Sequence, residues 1–551
     1  MVDRLDCVII GYNEPGFQAA AAQAREIERY SPLYSELQRS SARYGGRRLP
    51  YMDLLNAALA DVGGRDPGLN VGFLPALGVA YLTSFLRARG FAVEYVNFYS
   101  RDRDQLEALL AEAPRSVAIT TTFYLSNDPI TEICDTVRRL APETRIIVGG
   151  PHVYNICSSL DAQSAAVVLE TTGGDVFVFD SQGEATLAAI LGSLRQGGES
   201  LGSVPNLFYS PDGGPLRPTP RAVEDNDMDA NVVRWDLFPP QFYTPTAQLR
   251  TARSCAFECA FCRFPAVGGA LKLNRLEVIE RQLALLKEGG VDNVIFIDDT
   301  FNVPLPRFKD ICRMMIRNRF DFRWYSYFRC SNSDDEAFDL MAEAGCRGTF
   351  LGIESGDQTV LDAMNKHAQL ERYRYGVQRL KERGIVTFAS FFVGFPPESE
   401  RTVANTIEFI EETSPQFYNC GLWYYDDKTP IVQRAEEFGL QGGGFQWRHA
   451  TMDWKTARDL ASHVYRAVRG SIIMPTYSFD FWSIPYLIGE GFTIEQIESF
   501  CRMVQPSLLA GLDDDAHDSP DADRRLRAHL ANGGAPRALA GASPRASEAT
   551  G

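Results

Sequence analysis

Cys255, Cys259 and Cys262 form a Cys-x3-Cys-x2-Cys triplet in the run Arg-Ser-Cys-Ala-Phe-Glu-Cys-Ala-Phe-Cys-Arg-Phe-Pro. Three thiolates can hold three irons of a [4Fe–4S] cluster, whose protein ligands usually come in fours. The fourth iron is then open to a small chelating molecule and can pass it an electron. Phe261, directly before the last cysteine, is an aromatic able to pack on a planar base. Zinc is the competing reading, and it needs a fourth Cys or His ligand, often from a distant second pair. The sequence has no second Cys-x2-Cys and no His-x3-His pair. Its other eight cysteines are scattered, mostly in apolar stretches where buried free thiols are common.

Acidic residues follow two strand-like runs downstream of the triplet. Asp298 and Asp299 close the strand pattern Val294 to Ile297, and two carboxylates there can accept hydrogen bonds from an ammonium group or cap a helix. Glu354 and Ser355 close Gly348 to Gly352, where Glu354 can hold ribose hydroxyls or sit as a satisfied loop carboxylate. Further strand patterns at Trp324 to Phe328 and Thr387 to Val393, with a helix over Leu276 to Glu288, give repeated βα units. These predict a partial (β/α)6 barrel whose chemistry sits at the C-terminal strand ends.

Upstream, short apolar strands alternate with helices: Cys7 to Gly11, Ala92 to Phe98, Ser116 to Thr121, Arg145 to Gly149 and Val176 to Phe179. The alternation predicts an α/β fold with an N-terminal doubly wound parallel sheet, which binds ligands at its carboxyl strand ends. Those ends carry Gly11, Thr120, Thr121, Gly149, Gly150, His152, Gly183 and Glu184. Singly, each is an ordinary turn residue.

The triplet with its aromatic resembles the hallmark of the radical S-adenosylmethionine (SAM) superfamily. The resemblance implies that SAM chelates the open iron and is cleaved on reduction to methionine and a 5′-deoxyadenosyl radical. The segments at Asp298-Asp299 and Glu354-Ser355 resemble those that contact the amino group and ribose of SAM, and Phe392 to Pro396 matches a common fifth-strand segment. The N-terminal loops, with Gly149-Gly150-Pro151-His152 and Gly183-Glu184-Ala185-Thr186-Leu187, resemble the cobalamin-binding domain of cobalamin-dependent radical SAM enzymes. An Asp-x-His-x-x-Gly motif is absent, which implies cobalamin bound without a histidine on its lower face. His152 then either contacts the corrin edge or ties a loop.

These expectations give residues 1–210 as a cobalamin-binding domain and 211–245, rich in Pro and Asp, as a linker. Residues 246–434 are the radical SAM domain, 435–511 a C-terminal helical region and 512–551 a disordered tail. Residues Phe17 to Gly64 are an insertion expected to cover the first sheet.

At 551 residues, 45% apolar and 23% charged, the chain has the composition of a globular protein of two or three domains. Its net charge of −16 argues against nucleic acid or an anionic membrane as partner. The longest uncharged apolar run, Val71 to Leu86, falls short of the ~20 residues a bilayer span needs. The acidic start, Met-Val-Asp-Arg-Leu-Asp, does not read as a secretory leader, and unpaired cysteine usage fits a cytoplasmic location.

The combined resemblance implies a cobalamin-dependent radical SAM methyltransferase of natural-product biosynthesis. One SAM methylates cob(I)alamin, a second gives the radical that abstracts hydrogen, and the substrate radical takes the methyl. Gly-Tyr-Asn-Glu-Pro-Gly after the first strand, Thr-Thr-Thr-Phe-Tyr at the third, and Trp447-x-His449-x-Thr451-Met452 are most like the branch that P-methylates phosphinates for phosphinothricin-type antibiotics. Arg448 and His449 are the candidates to hold such an anion. The resemblance also implies a small-molecule substrate and an electron donor such as flavodoxin or ferredoxin. A C-methyltransferase, a cobalamin-dependent radical cyclase and a non-enzymatic cobalamin-binding regulator are the alternatives. The intact triplet speaks against the last.

Overall fold

The computed structural model describes residues 4–14, 17, 32–122, 124, 126–211, 213–512 and 519–540. Pro15, Gly16 and Phe123, part of the phosphinate resemblance, lie outside them, as do 18–31 of the insertion and 513–518 and 541–551 of the expected tail. The chain forms two compact units. The first comprises Met1–Gly16, Gly72–Gln248 and Lys272–Gly290, the second Phe17–Val71, Leu249–Leu271 and Val291–Gly551.

The first unit is built on a seven-stranded sheet. Its strands are β1 (Cys7–Tyr12), β2 (Val93–Phe98), β3 (Ser116–Thr120), β4 (Arg145–Gly149), β5 (Val176–Val178), β6 (Leu207–Tyr209) and β7 (Arg217–Pro218). The order is β2-β1-β3-β4-β5-β6-β7, parallel through β5 and antiparallel after it. Cys7, Val8, Ile9 and Ile10 are fully buried, as a strand covered on both faces requires. Helix Asp128–Leu140 starts on Pro129 and buries Ile130, Ile133, Cys134 and Val137, the apolar stripe of a 3.6-residue period. The strand order reverses between β1 and β3, which makes the carboxyl edge there the ligand crevice of such a sheet.

The second unit carries six parallel strands: β8 (Asn293–Phe296), β9 (Arg323–Tyr327), β10 (Cys346–Glu354), β11 (Val386–Val393), β12 (Phe417–Leu422) and β13 (Ile472–Ile473). They lie side by side in chain order, and the N–H of Ile297 donates to Leu249 O before the first of them. Helices such as Leu305–Arg317, Asp335–Glu343 and Glu400–Thr413 connect them, which is the expected βα repeat.

Several expectations about the connections need correction. Residues 211–245 are not a loose linker: Trp235, Phe238 and Tyr243 are buried, and Tyr95 packs its ring on Phe238 and Phe242. The insertion does not group with the unit that holds the first sheet. Its helix Pro32–Arg39 belongs to the second unit, where Glu36 accepts from the N–H of Leu422 and pairs with the buried Arg39. The region after 435 is not all helix: Gln441–Gly443, Gln446–His449 and Met452–Asp453 form a small antiparallel sheet. The expected tail contains helix Pro520–His529, capped by Ser519 and tied through Arg527 to Asp61. In each case aromatic or ionic side chains on a Pro- or Asp-rich run find partners far away in sequence, which local composition cannot show.

Candidate active site

The cysteine loop is anchored on both sides before any thiol is considered. Asp298, two residues beyond β8, is buried and accepts from the backbone N–H groups of Thr251 (2.6 Å) and Ala252 (2.9 Å) and from the Thr251 hydroxyl. Burial raises its carboxyl despite these bonds. Asp298 therefore shapes the turn four residues ahead of Cys255, each of its oxygens accepting from that turn. Its neighbour Asp299 turns outward, and crowding by protein and then by Asp298 pushes its carboxyl up to about 6. Further along, the N–H of Ala260 donates to Met364 O (2.8 Å), that of Ile431 to Ala260 O (2.9 Å), and Asn365 Nδ2 to Glu258 O (2.9 Å).

Cys259 is buried, Cys255 and Cys262 are half-buried, and all are free thiols. Cys255 Sγ lies 3.6 Å from Thr300 Oγ1. Burial raises the Cys259 thiol, and the cations Lys366 and Arg329 oppose that rise. Burial raises Cys262 too, while the N–H of Phe264 opposes it. Among the described residues no three His, Cys, Asp or Glu side chains are grouped to hold a metal ion. A cubane takes each cysteine on a different iron, so the fit asked of this loop is three thiols on one rigid turn with cations alongside. The loop meets it.

Glu354 ends β10 in the left-handed region, φ +72, just past a register shift between Gly352 and Glu354. Its Oε1 accepts from Lys366 Nζ at 2.8 Å, and both side chains are largely buried. A Cβ on residue 352 would sit 2.6 Å from that oxygen, so glycine leaves the space the carboxylate occupies. Oε2 of Glu354 carries no hydrogen bond and can accept from ribose hydroxyls. Ser355 is fully buried and spent within the protein, accepting from the N–H of Asp357 (3.2 Å) beside Thr406. Phe261 packs edge-on to Phe392 and Phe395 and receives Lys366 Nζ over its ring at 5.3 Å. Sequence reading missed Lys366 and Arg329, because a lysine in Met-Asn-Lys and an arginine in Phe-Arg-Cys look like surface charges.

In the first unit, Thr120 pairs with Gly149 across β3 and β4, and Gly149 with Val178 across β4 and β5. Thr120 donates to Ile10 O (3.2 Å) and the Thr121 hydroxyl to Gly149 O (3.0 Å). Gly150 has φ +113, and a Cβ there would meet Thr121 Oγ1 at 2.9 Å and Thr121 N at 3.1 Å. His152 donates its backbone N–H to Thr121 Oγ1 (3.2 Å) and pairs Nε2 with Asn127 Oδ1 (2.8 Å), so its bonds are those of a loop tie. Gly183, φ +79, opens helix Glu184–Arg195. That helix start is occupied by the chain itself: the N–H groups of Ala185 and Thr186 donate to the Glu224 carboxylate, and Glu184 accepts from Asn226 Nδ2 (2.8 Å). An open recess of about 270 Å³ beside the edge is lined by Tyr154, Cys157, Phe179, Phe208 and Arg221. A row of backbone and small residues along the switch-point edge suits a broad, flat ligand such as a corrin.

The phosphinate-like motif is a latch. Trp447 Nε1 donates to Trp423 O (2.9 Å), its ring stacks on His449, and His449 Nε2 bonds Gly394 O (3.0 Å). Burial drops His449 to about 4, so it is a neutral ring at neutral pH. Arg448 is exposed and bonds Gln441 Oε1 (2.7 Å). Neither residue is placed as an anion anchor.

Comparison with known proteins agrees with this division. Residues 71–187 match the B12-binding domain and residues 249–410 the radical SAM superfamily. An uncharacterized methyltransferase of Pyrococcus horikoshii is 26% identical over 354 residues, 61% of this chain and 73% of that protein. The anaerobic magnesium-protoporphyrin IX monomethyl ester cyclase of Rubrivivax gelatinosus is 24% identical, over 67% of this chain and 69% of its own. The methyltransferase TsrM of Kitasatospora setae, solved with cobalamin and a [4Fe–4S] cluster, shares the fold at TM-score 0.58 and 18% identity, over 79% of this chain and 96% of its own. No helix among the described residues is long and apolar enough to cross a membrane. With a cobalamin-type sheet and a cysteine-bearing βα sheet in one polypeptide, the protein is an enzyme of the radical SAM class that uses a [4Fe–4S] cluster, SAM and cobalamin.

Proposed function

We propose that the protein transfers a methyl group to an unactivated atom of a small molecule, and that this atom is the phosphorus of a phosphinate. The observation that carries methyl transfer is the coexistence of a rigid cysteine loop flanked by Glu354, Asp299 and Phe261 with a switch-point edge at Thr120, Thr121, Gly149 and Gly150. The bound groups supply an electron, a hydrogen-abstracting radical and a methyl donor. The chain's own residues do the rest. Cys255, Cys259 and Cys262 hold the cluster. Glu354 Oε2 accepts from the ribose of SAM, while Lys366 holds the carboxylate in place through Oε1. Phe261, wedged against Phe392 and Phe395, offers an apolar surface to the adenine. Asp299 accepts from the ammonium of SAM above pH about 6, where it is ionised. In the first unit, the Thr120 and Thr121 hydroxyls and the Gly149–Gly150 turn border the corrin.

The phosphorus assignment is supported by the sequence resemblance, whose Trp447–Met452 segment is a packing latch and does not itself contact an anion. Cyclase chemistry of the kind named for the Rubrivivax relative is the second reading.

The experiment is an anaerobic incubation of reconstituted enzyme, hydroxocobalamin, a low-potential reductant and SAM labelled in its methyl as CD3. Candidate acceptors are P–H phosphinates and matched C–H analogues, read by mass spectrometry. A phosphinate gaining CD3 is the expected result. CD3 gained only by carbon acceptors overturns the phosphorus assignment. A ring-closed product without CD3 overturns methyl transfer.

A further inference from the structure

The cysteine loop contains two phenylalanines, and each carries a cation on its ring. Lys366 Nζ stands 5.3 Å from the centroid of Phe261, and the Arg329 guanidinium stands 3.7 Å from that of Phe257. The two cations come from different elements. Arg329 lies two residues past β9, and Lys366 follows helix Gln358–Ala363. Lys366 is ion-paired to Glu354. Among the described residues Arg329 has no such partner: its residue is 8% exposed, and its Nη2 is buried without a hydrogen bond. Its backbone is held by Asn302, which accepts from the Arg329 N–H and donates to the Arg329 carbonyl (3.0 Å each). The Tyr373 hydroxyl, in the electrostatic reach of both cations, is also buried and unpartnered.

A buried guanidinium without a counter-anion costs several kcal/mol. Stacking on Phe257 returns only part of that cost. The fold holds Arg329 in place at both backbone atoms and still leaves its charge uncompensated, so an anion belongs beside it. A [4Fe–4S] core with a 2+ charge and three thiolates carries a net charge of −1, and −2 once reduced. The thiol whose electrostatics Arg329 and Lys366 both influence is Cys259.

We propose that Arg329 is a positioning and tuning residue for the cluster: with Lys366 it clamps the cysteine loop through Phe257 and Phe261, donates Nη2 to the cluster's sulfur, and eases addition of the electron. A cation next to a centre that gains negative charge stabilises the reduced form more than the oxidised one, because the Coulomb energy grows with the charge. The inference rests on the triplet being the cluster's ligand set.

The test compares Arg329→Lys, which keeps charge, with Arg329→Gln, which removes the charge and keeps only a shorter amide donor. Each is reconstituted anaerobically, iron per chain is counted, and the cluster potential is measured by electron paramagnetic resonance titration without SAM and then with it. The expected result is full iron in all three proteins, a more negative potential in Arg329→Gln already without SAM, and a potential near the parent in Arg329→Lys. If iron falls in Arg329→Gln but is kept in Arg329→Lys, the clamp stands on charge. An unchanged potential in Arg329→Gln without SAM, with weakened SAM binding, assigns Arg329 to the SAM carboxylate and overturns the proposal. Equal potentials with and without SAM in all proteins make Arg329 structural and overturn it as well. A parent protein without iron, or a Cys259→Ser variant with the parent's iron and spectrum, would instead undo the ligand assignment.

Discussion

Replacing Lys366 by methionine removes the partner of a carboxylate that cannot move away. Glu354 is fixed at φ +72 by the bulge that ends β10, and its side chain is only 13% exposed. The pair is short, 2.8 Å between Nζ and Oε1. At an effective dielectric near 20, unit charges about 4 Å apart attract by about 4 kcal/mol. Removing one partner of a buried pair costs about 3–5 kcal/mol, because the survivor stays buried and uncompensated. At the low end of that range, Lys366→Met should destabilise the second unit by about 3 kcal/mol. Glu354→Gln alone leaves the buried Lys366 without its ion-pair partner and should cost about 2 kcal/mol. The double variant should cost about 2 kcal/mol less than the sum of the singles, since neither charge is then stranded. Urea unfolding of the metal-free protein, followed by tryptophan fluorescence and far-ultraviolet circular dichroism, measures all three corners. Additive single effects, or a Lys366→Met cost under about 0.5 kcal/mol, would refute the reasoning.

Replacing Cys255, Cys259 and Cys262 together by alanine should reduce iron from about four per chain to almost none and abolish SAM cleavage; colorimetric iron assay and product chromatography decide it. Gly150→Val forces a branched Cβ against Thr121 N at a φ of +113, and should cost 2 kcal/mol or more while lowering hydroxocobalamin retention on gel filtration. Retention at the parent level would show that this turn does not border the corrin. The His449 ring is depressed from 6.5 to about 4, so the unfolded chain binds its proton first as pH falls, and stability is lost between about pH 6.5 and 4. At 1.36 kcal/mol per pH unit the loss is about 3.4 kcal/mol, and it should be absent from the pH profile of His449→Gln melting while present in the parent's.

Strand runs were legible because parallel strands buried on both faces read as continuous apolar segments: Cys7–Gly11 and Thr387–Val393 fall inside observed strands, and Val294–Ile297 overruns one by a single residue. Strand β12, Phe-Tyr-Asn-Cys-Gly-Leu, was missed because Asn and Gly interrupt that pattern, and β13 because two residues carry no period. The triplet was legible from spacing alone. The division of labour around it was not. Asp298 and Asp299 are identical in type and adjacent, yet one turns inward to Thr251 and the other outward, and residue type cannot tell them apart. Glu354 was visible as a carboxylate at a strand end, but its partner lies twelve residues away across a helix and a turn. Glu224, which closes the start of helix Glu184–Arg195, lies in a stretch whose composition reads as a linker.

The anchors of the cysteine loop have a consequence for how the enzyme is assembled. Thr251 and Ala252 are held by Asp298, Glu258 by Asn365, and Ala260 by Met364 and Ile431; no cysteine takes part. In zinc fingers the metal supplies the folding free energy, and stripping it unfolds the chain. Here the polypeptide completes its own scaffold first, and iron and sulfide are cargo delivered to a finished dock. Oxygen damage or chelation then empties the dock without dissolving it, and a cell can refill the same molecule instead of making a new one.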